Sequence, residues 1–275
     1  MPSHLEGLKV WLGFLKPMLA SVEDFSYEGS ELKQLWGIIK RGVVARQYEA
    51  LSAIVSMAEA GHGFLGVTFL RPAYEELIWL EFIDGHISDT TEFVMLMCKH
   101  EIVDHLNAQN SYAGKRSMAQ LGFSQRMVKV SDAQDRETQK RIREIGRQVG
   151  WDTSRGLFPT VFFMAKKIDR VKEFQYLYSA TSRFVHFSPQ EIMRRAWGKP
   201  GSLKIGSKSF GKYWETFAIY WGFRIFVNLM VHCHDLLTTM DTDDAKFDEM
   251  TAWLAEFRQV PIITMEELQW PWPKS

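Results

Sequence analysis

The chain has 275 residues, of which 46% are hydrophobic and 24% charged, so it can bury a core and has the composition of an ordinary globular protein. Its 33 basic and 33 acidic residues leave no net charge that would draw the whole molecule to a polyanion. Its two cysteines, Cys98 and Cys233, are too few for a disulfide framework or a cysteine zinc site, and they favour a reducing, cytoplasmic location.

Apolar residues recur at helical spacing along almost the whole chain, with few alternating strand patterns and no internal repeat. The sequence therefore predicts an all-α fold, a single bundle of six to eight helices forming one domain over 1–275. Irregular segments are expected at 113–130 and 198–212, and the acidic region 241–275 ends in a tail of alternating tryptophan and proline that cannot be helical. The predicted helices span 5–19, 30–60, 64–84, 89–112, 131–149, 169–187, 213–240 and 244–258.

No segment is predicted to cross a membrane, and no membrane partner is expected. The most apolar stretches, 64–83 and 217–231, are interrupted by charged residues such as Arg71 and Arg224, so neither offers about 18 uninterrupted apolar residues. The N-terminus also lacks the basic and apolar regions of a secretory signal.

Arg71 and Glu75 interrupt the apolar helix predicted over 64–84. They are four residues apart on one face, so they can form an ion pair. Pro72 between them lacks an N–H, so the helix either begins there or kinks and frees the carbonyl of Thr68. Because buried charge is costly unless paired, the two residues are either a structural tie between helices or an arginine that Glu75 aims at an anion.

Tyr178, Ser182 and His186 form a second polar row, along the flank of the apolar stripe of the helix predicted over 169–187. A polar row at the edge of a buried face is where a groove between helices would open. Two interpretations stay open: a site in such a groove, or a histidine that only caps the helix through Ser182 or a carbonyl.

Arg224, Asn228, His232 and Asp235 form a third row, and they fall within roughly 80° of one another on a helical wheel. The surrounding residues of the helix predicted over 213–240 are almost all apolar, so this helix is predicted to be buried. Its polar line must face partner side chains, internal water or a cavity. A structural network and a site are both consistent with it.

The segment between Glu191 and Glu215 contains no acidic residue, and it holds four glycines with Trp197, Phe210 and Tyr213. A basic, flexible and aromatic segment suits a phosphate backbone or a nucleotide. The alternative is a solvated segment whose charge offsets the acidic C-terminal region. Its bases are Arg194, Arg195, Lys199, Lys204, Lys208 and Lys212.

No metal ion and no cofactor are predicted. The residues His100, Glu101, Asp104 and His105 do not have the spacing of a zinc protease or a di-iron bundle, and we expect them to form a solvated helix face. The chain also lacks a P-loop, a dinucleotide fingerprint, a nucleophile elbow and the kinase motifs.

The two motifs Leu70-Arg71-Pro72-x-x-Glu75 and Tyr178-x-x-x-Ser182-x-x-x-His186 resemble those of a bacterial family of helical proteins known only as a domain of unknown function. The resemblance covers roughly 40–240 and implies a helical bundle in which Arg71, Glu75, Ser182 and His186 lie near one another. That family is distantly similar to the HEPN helical bundles, which include RNA-cutting toxins and defence proteins. Active HEPN members carry an arginine, four to six residues and then a histidine, and neither Arg183–His186 nor Arg224–His232 has this spacing.

Two functional hypotheses follow. In the first, the protein acts on RNA or a nucleotide without a metal ion, in a toxin or phage-defence setting. His186 or His232 then acts as general acid or base, and Arg71 and Arg224 stabilise the phosphate. In the second, a non-catalytic binding or regulatory bundle, expected to be a homodimer, recognises a small anion or a protein partner. The binding residues proposed with these groups are Glu75, Tyr178, Ser182, Asn228, Arg194, Arg195, Lys204 and Lys208.

Overall fold

The computed structural model describes residues 4–23, 25–26, 29–199, 201–206, 211–237, 244–256 and 262–263. Within them the fold is all-α, as predicted, but it has eleven α-helices and not six to eight. Three of these, α6, α8 and α10, have seven residues or fewer, which is too short for an apolar repeat to be visible. The helices are α1 His4–Glu23, α2 Glu31–Glu59, α3 Val67–His86, α4 Thr90–Gln120, α5 Gln125–Val149, α6 Val161–Lys167, α7 Val171–Val185, α8 Pro189–Met193, α9 Gly211–His232, α10 His234–Leu237 and α11 Asp244–Ala255.

The glycine that follows α2 marks the end of that helix, whereas the proline of α3 does not interrupt α3. Helix α2 ends at Glu59, and Gly61 follows in the left-handed region with φ 78°. A short 3₁₀-helix, Gly63–Gly66, then leads directly into α3. Pro72 lies inside α3, so this helix does not begin at the proline, and Arg71 and Glu75 share one continuous helix.

The region predicted to be irregular at 113–130 is largely helical. Helix α4 continues to Gln120 across Gly114, whose φ of 74° and ψ of 166° mark a break that only glycine adopts without strain. Helix α5 begins at Gln125, because the hydroxyl of Ser124 accepts a hydrogen bond from the Met127 N–H at 3.2 Å. The prediction that this helix begins near Ser131 was wrong, since the earlier serine forms the cap.

The segment predicted to be irregular at 198–212 contains an antiparallel hairpin of β1 Ala196–Lys199 and β2 Ser202–Ile205. Gly201 forms its turn with φ 80°. Lys208 and the proline- and tryptophan-containing tail lie outside the described residues. The helix predicted over 213–240 is divided, because α9 ends at His232 and Asp235 belongs to the separate helix α10.

The contacts divide the chain into two compact units, and the single domain over 1–275 stays a prediction. Unit 1 contains 1–25, 41–77 and 172–275. Its centre is α9, whose buried side chains include Trp214, Phe217, Phe223 and Phe226. Gly222 lets this helix approach α2 closely, since a Cβ atom there would lie 3.0 Å from the Cδ1 of Ile54.

Unit 2 contains 26–40 and 78–171. Its aromatic core includes Phe82, Phe93 and Trp151, and Gly146 of α5 lies directly against the Trp151 ring. Beyond this core, α4 and α5 are joined by polar side chains, such as the hydrogen bond from Asn107 to Asp132 at 2.7 Å. The ion pair between Arg170 and Glu81 at 2.5 Å is a further polar tie in this unit.

Candidate functional site

Arg71 and Glu75 form the ion pair that their spacing predicts. The Arg71 Nε donates to the Glu75 Oε1 at 2.8 Å, and the two side chains are 25% and 30% exposed. The hydrogen bond that Arg71 donates to Glu75 raises the pKa of Arg71 above its usual value, although partial burial acts in the opposite direction. This contact uses only Nε, so the two terminal nitrogens of the guanidinium can donate to other groups.

The second polar row meets Arg71. The guanidinium carbon of Arg71 lies 4.6 Å from the centre of the Tyr178 ring, a cation–π contact, and its Nη1 lies 3.3 Å from the Nε2 of His186. Tyr178 lies in the middle of α7 and His186 directly follows its last residue, where the His186 N–H still donates to the Ser182 carbonyl at 3.1 Å. Arg71, Glu75, Tyr178 and His186 thus form one cluster within unit 1, which we call the Arg71–His186 cluster.

The contact between Arg71 and His186 has a defined chemical meaning. A guanidinium can only donate hydrogen bonds, so the Nε2 of His186 must accept with its lone pair. A hydrogen bond of this kind requires the tautomer that carries its proton on Nδ1. Arg71 occupies the Nε2 lone pair in this arrangement, so Nε2 becomes a proton acceptor only when a ligand replaces the contact. His186 is exposed, so a ligand can reach it.

Ser182 is half-buried at the edge of this cluster, and its hydroxyl makes no hydrogen bond with the described residues. It lies one helical turn before His186, on the same face of α7. Ser182 can therefore donate to a ligand held by the cluster without losing a protein partner.

Arg224 lies elsewhere in unit 1 and is engaged by protein groups. Its guanidinium donates to the Tyr220 hydroxyl at 2.9 Å and to the Glu173 Oε2 at 3.0 Å, and it lies 5.2 Å from the Trp221 ring. Burial acts to lower the pKa of Arg224. The hydrogen bond that Arg224 donates to Tyr220 and the charge of Glu173 outweigh burial, so the pKa is raised above its usual value. Glu173 and Tyr178 are five residues apart on α7, about 140° around the helix, so Arg224 and Arg71 contact different faces of α7.

His232 is at the opposite end of α9 from the Arg71–His186 cluster. Phe184, two residues before His186, contacts the Trp214 ring at 4.7 Å between centroids. His232 lies eighteen residues beyond Trp214, which is about 27 Å along the helix axis. Asn228 lies one turn before His232, is half-buried and makes no side-chain hydrogen bond with the described residues.

The predicted bases of 194–208 differ in their surroundings. Arg194 is only 4% exposed and donates to the Glu191 Oε2 at 3.0 Å and to the Ile262 carbonyl at 2.7 Å, with its guanidinium carbon 4.7 Å from the Trp214 ring. Arg195 is exposed and lies 4.9 Å from the Phe64 ring. Lys204 is exposed on β2. Arg195 and Lys204 are therefore accessible to a ligand, and Arg194 is not.

Sequence reasoning missed a histidine–carboxylate tie in unit 2. His100 is not part of the solvated face predicted for it, because its Nδ1 lies 2.9 Å from the Oδ1 of Asp135, which is 8% exposed. Gln139 also donates to Asp135 at 2.6 Å. Glu101, Asp104 and His105 are exposed, as predicted. The available signal in the sequence was Asp135, an acidic residue on the polar helix α5. Its spacing does not identify His100 of α4 as its partner.

Replacing Asp135 with alanine is expected to lower the free energy of unfolding by about 2 kcal/mol, since it leaves the donors of His100 and Gln139 without their acceptor. Urea unfolding measures this loss. Glu101→Ala, at an exposed position on α4, is the control and should change stability by less than about 0.5 kcal/mol. Equal effects of the two substitutions would contradict a buried tie between α4 and α5.

Among the residues that the structure describes, no three histidine, cysteine, aspartate or glutamate side chains are grouped so that they could hold a metal ion. Within the same residues, no helix combines the length and the apolar character needed to span a bilayer. Neither Cys98 nor Cys233 forms a disulfide bond.

Comparison with known proteins places the chain in a family. The searches of curated proteins and of solved structures found no match. A family model described as a family of unknown function matches residues 38–202, more than half of the chain. The matched range begins near the predicted boundary at 40 and ends before the predicted one at 240. It contains Arg71, Glu75, Tyr178 and His186. Because the model matches more than half of the chain, the chain belongs to the family of unknown function DUF5677.

Proposed function

We propose that this protein acts on RNA or a nucleotide and binds a phosphate group at the Arg71–His186 cluster. The observation that supports this most directly is the 3.3 Å contact between the Arg71 Nη1 and the His186 Nε2. A phosphate oxygen that replaces this contact would accept a hydrogen bond from Arg71 and leave the Nε2 lone pair of His186 free. A histidine can act as a general base in phosphodiester cleavage, and an arginine can stabilise the charge on the phosphate.

In the proposed reaction, the neutral Nε2 of His186 accepts the proton of a ribose 2′-hydroxyl. The 2′-oxygen then attacks the adjacent phosphorus, and the bond to the 5′-oxygen breaks as that oxygen takes a proton from water. The hydroxide left by that water takes the proton from the His186 imidazolium, which restores the neutral ring. The products are a 2′,3′-cyclic phosphate and a 5′-hydroxyl end, so no oxidant or further reactant is needed. Arg71 stabilises the charge that develops on the non-bridging oxygens.

The neighbouring groups are assigned supporting roles. Glu75 and Tyr178 orient Arg71, through the hydrogen bond on Nε and the cation–π contact. Ser182 can donate to a phosphate oxygen, and Arg195 and Lys204 can contact the nucleic acid backbone through their exposed charges. Arg194, Arg224 and His232 have no role in this proposal, because Arg194 and Arg224 are engaged in protein contacts and His232 is at the far end of α9.

The resemblance to HEPN bundles supports the same class of chemistry. The spacing of arginine and histidine in active HEPN members is absent from this sequence, but Arg71 and His186 supply the same two groups from two different helices. A toxin or phage-defence setting in the cytoplasm belongs to this proposal through that resemblance. A homodimer stays a prediction.

Incubation of the purified protein with end-labelled single-stranded RNA tests the proposal. We expect cleavage that leaves 2′,3′-cyclic phosphate ends and that is unchanged by a chelator, since the reacting groups come from the chain. RNA that copurifies with the protein, seen as excess absorbance at 260 nm, would support binding. Absence of both binding and cleavage would refute the proposal.

A second candidate function is non-catalytic binding of a small anion or a protein partner. It is favoured by the single histidine of the Arg71–His186 cluster, because cleavage is faster when separate groups serve as acid and base. It is also favoured by the engagement of Arg71 with Glu75 and Tyr178, which suits a fixed recognition site. Saturable RNA or phosphate binding without any cleavage would support this candidate over the first.

A further inference from the structure

Phe187 follows His186 directly and is 85% exposed. Its ring makes no aromatic or cation contact with the described residues. The ring of Tyr178, the other exposed aromatic residue of this region, has Arg71 at 4.6 Å and Phe174 at 5.4 Å. Phe187 therefore offers an open ring face beside the Arg71–His186 cluster, which Tyr178 does not.

The backbone that carries Phe187 is held on both sides. It forms a three-residue link, 186–188, between α7 and α8. The hydroxyl of Ser188 caps α8 by accepting from the Glu191 N–H at 3.4 Å. The Arg183 Nη1 donates to the Gln190 Oε1 at 2.9 Å across the link. Because these contacts brace the link, little backbone freedom is lost when a ligand stacks on the ring.

We propose that the ligand of the Arg71–His186 cluster is single-stranded RNA, with an unpaired base stacked on Phe187. This inference depends on the proposed function and specifies its substrate. Consecutive Cα atoms are only about 3.8 Å apart, so the imidazole and the phenyl ring can reach the phosphate and the base of one nucleotide. Stacking tolerates any base sequence, but it requires a base that is not enclosed in a duplex. The exposed charges of Arg195 and Lys204 suit the backbone of the same strand.

Fluorescence anisotropy with a 2′-O-methyl oligonucleotide measures binding without cleavage, because the modification removes the attacking hydroxyl. The probes are a labelled single strand, the same strand in a duplex, and a strand with abasic positions. We expect the intact single strand to bind about tenfold more tightly than the other two, which is the range of one stacked base. Phe187→Trp should keep this preference, and Phe187→Leu, which keeps an apolar side chain but no ring, should lose it.

Tyr112→Leu is the matched control, since Tyr112 is an aromatic residue that is 96% exposed on α4, and this variant should bind like the wild type. Equal affinity for single strand and duplex, or unchanged affinity of Phe187→Leu, would overturn the inference while leaving the proposed function intact. A change in oligomeric mass of Phe187→Leu without a change in RNA affinity would also overturn it, because the ring would then cover a protein interface. Failure of the wild type to bind any RNA would refute the proposed function itself.

Discussion

Replacement of His186 by alanine is expected to reduce the rate of RNA cleavage by a factor of about 10² to 10⁴, the usual contribution of a general acid or base. The imidazole is exposed, so its removal leaves no cavity. The melting temperature should therefore stay within a degree or two of the wild type, as for most surface substitutions. Single-turnover cleavage of end-labelled RNA, together with a thermal melt of the same preparation, measures both quantities.

His62→Ala is the control for this substitution, because His62 is also an exposed histidine of unit 1 but does not belong to the Arg71–His186 cluster. It should cleave at the wild-type rate. Arg71→Lys gives a second measurement, since a lysine keeps the charge but cannot donate to Glu75 and the ligand in the same planar geometry. If His186→Ala and His62→Ala cleave equally fast, His186 is not the general acid or base.

Replacement of Arg194 by methionine is expected to lower the free energy of unfolding by about 3 kcal/mol. Methionine keeps much of the volume under Trp214 but removes the donors to Glu191 and to the Ile262 carbonyl. The cost is large because these contacts are buried, with the Arg194 side chain only 3% exposed. Denaturant unfolding followed by tryptophan fluorescence measures the change.

The same substitution at the neighbouring residue, Arg195→Met, is expected to have little effect on stability. Arg195 is exposed and contacts only the Phe64 ring among the partners described above, so its loss should cost less than about 1 kcal/mol of stability. It should weaken RNA binding instead, through the loss of one backbone contact. If Arg194→Met melts like the wild type but binds RNA poorly, Arg194 contacts the ligand, as its position in the basic segment first indicated.

The sequence predicted the all-α class and the pairing of Arg71 with Glu75 because both depend on local spacing. An i, i+4 pair lies on one helical face whatever the tertiary structure is. The encounter of Arg71 with His186, 115 residues away, could be expected only from the resemblance to a family, since no helical wheel relates two helices to each other. The comparison with known proteins confirms membership of a family of unknown function, and the chemistry assigned to the cluster stays a proposal.

The solvated surroundings predicted for His100 and the accessibility expected of Arg194 both depend on tertiary partners that local patterns do not contain. Arg194 and Arg195 are adjacent in sequence, yet one is buried under Trp214 and the other is exposed. His100 and His105 lie in one polar stretch of α4, and only the tertiary contact of His100 with Asp135 distinguishes them. Short helices such as α8 and α10 likewise depend on caps and on packing, and an apolar repeat cannot reveal them.

Unit 1 is assembled from the beginning and the end of the chain, whereas unit 2 is complete at residue 171. During synthesis on the ribosome, the residues of unit 2 emerge in full while those of α9 are still missing. We therefore expect Leu51, Ile54 and Leu70, which belong to the part of unit 1 that is synthesised first, to stay exposed until α9 has been made and covers them. During that interval apolar side chains stay exposed, and we expect a fragment that ends at 202 to remain in the same unfinished state.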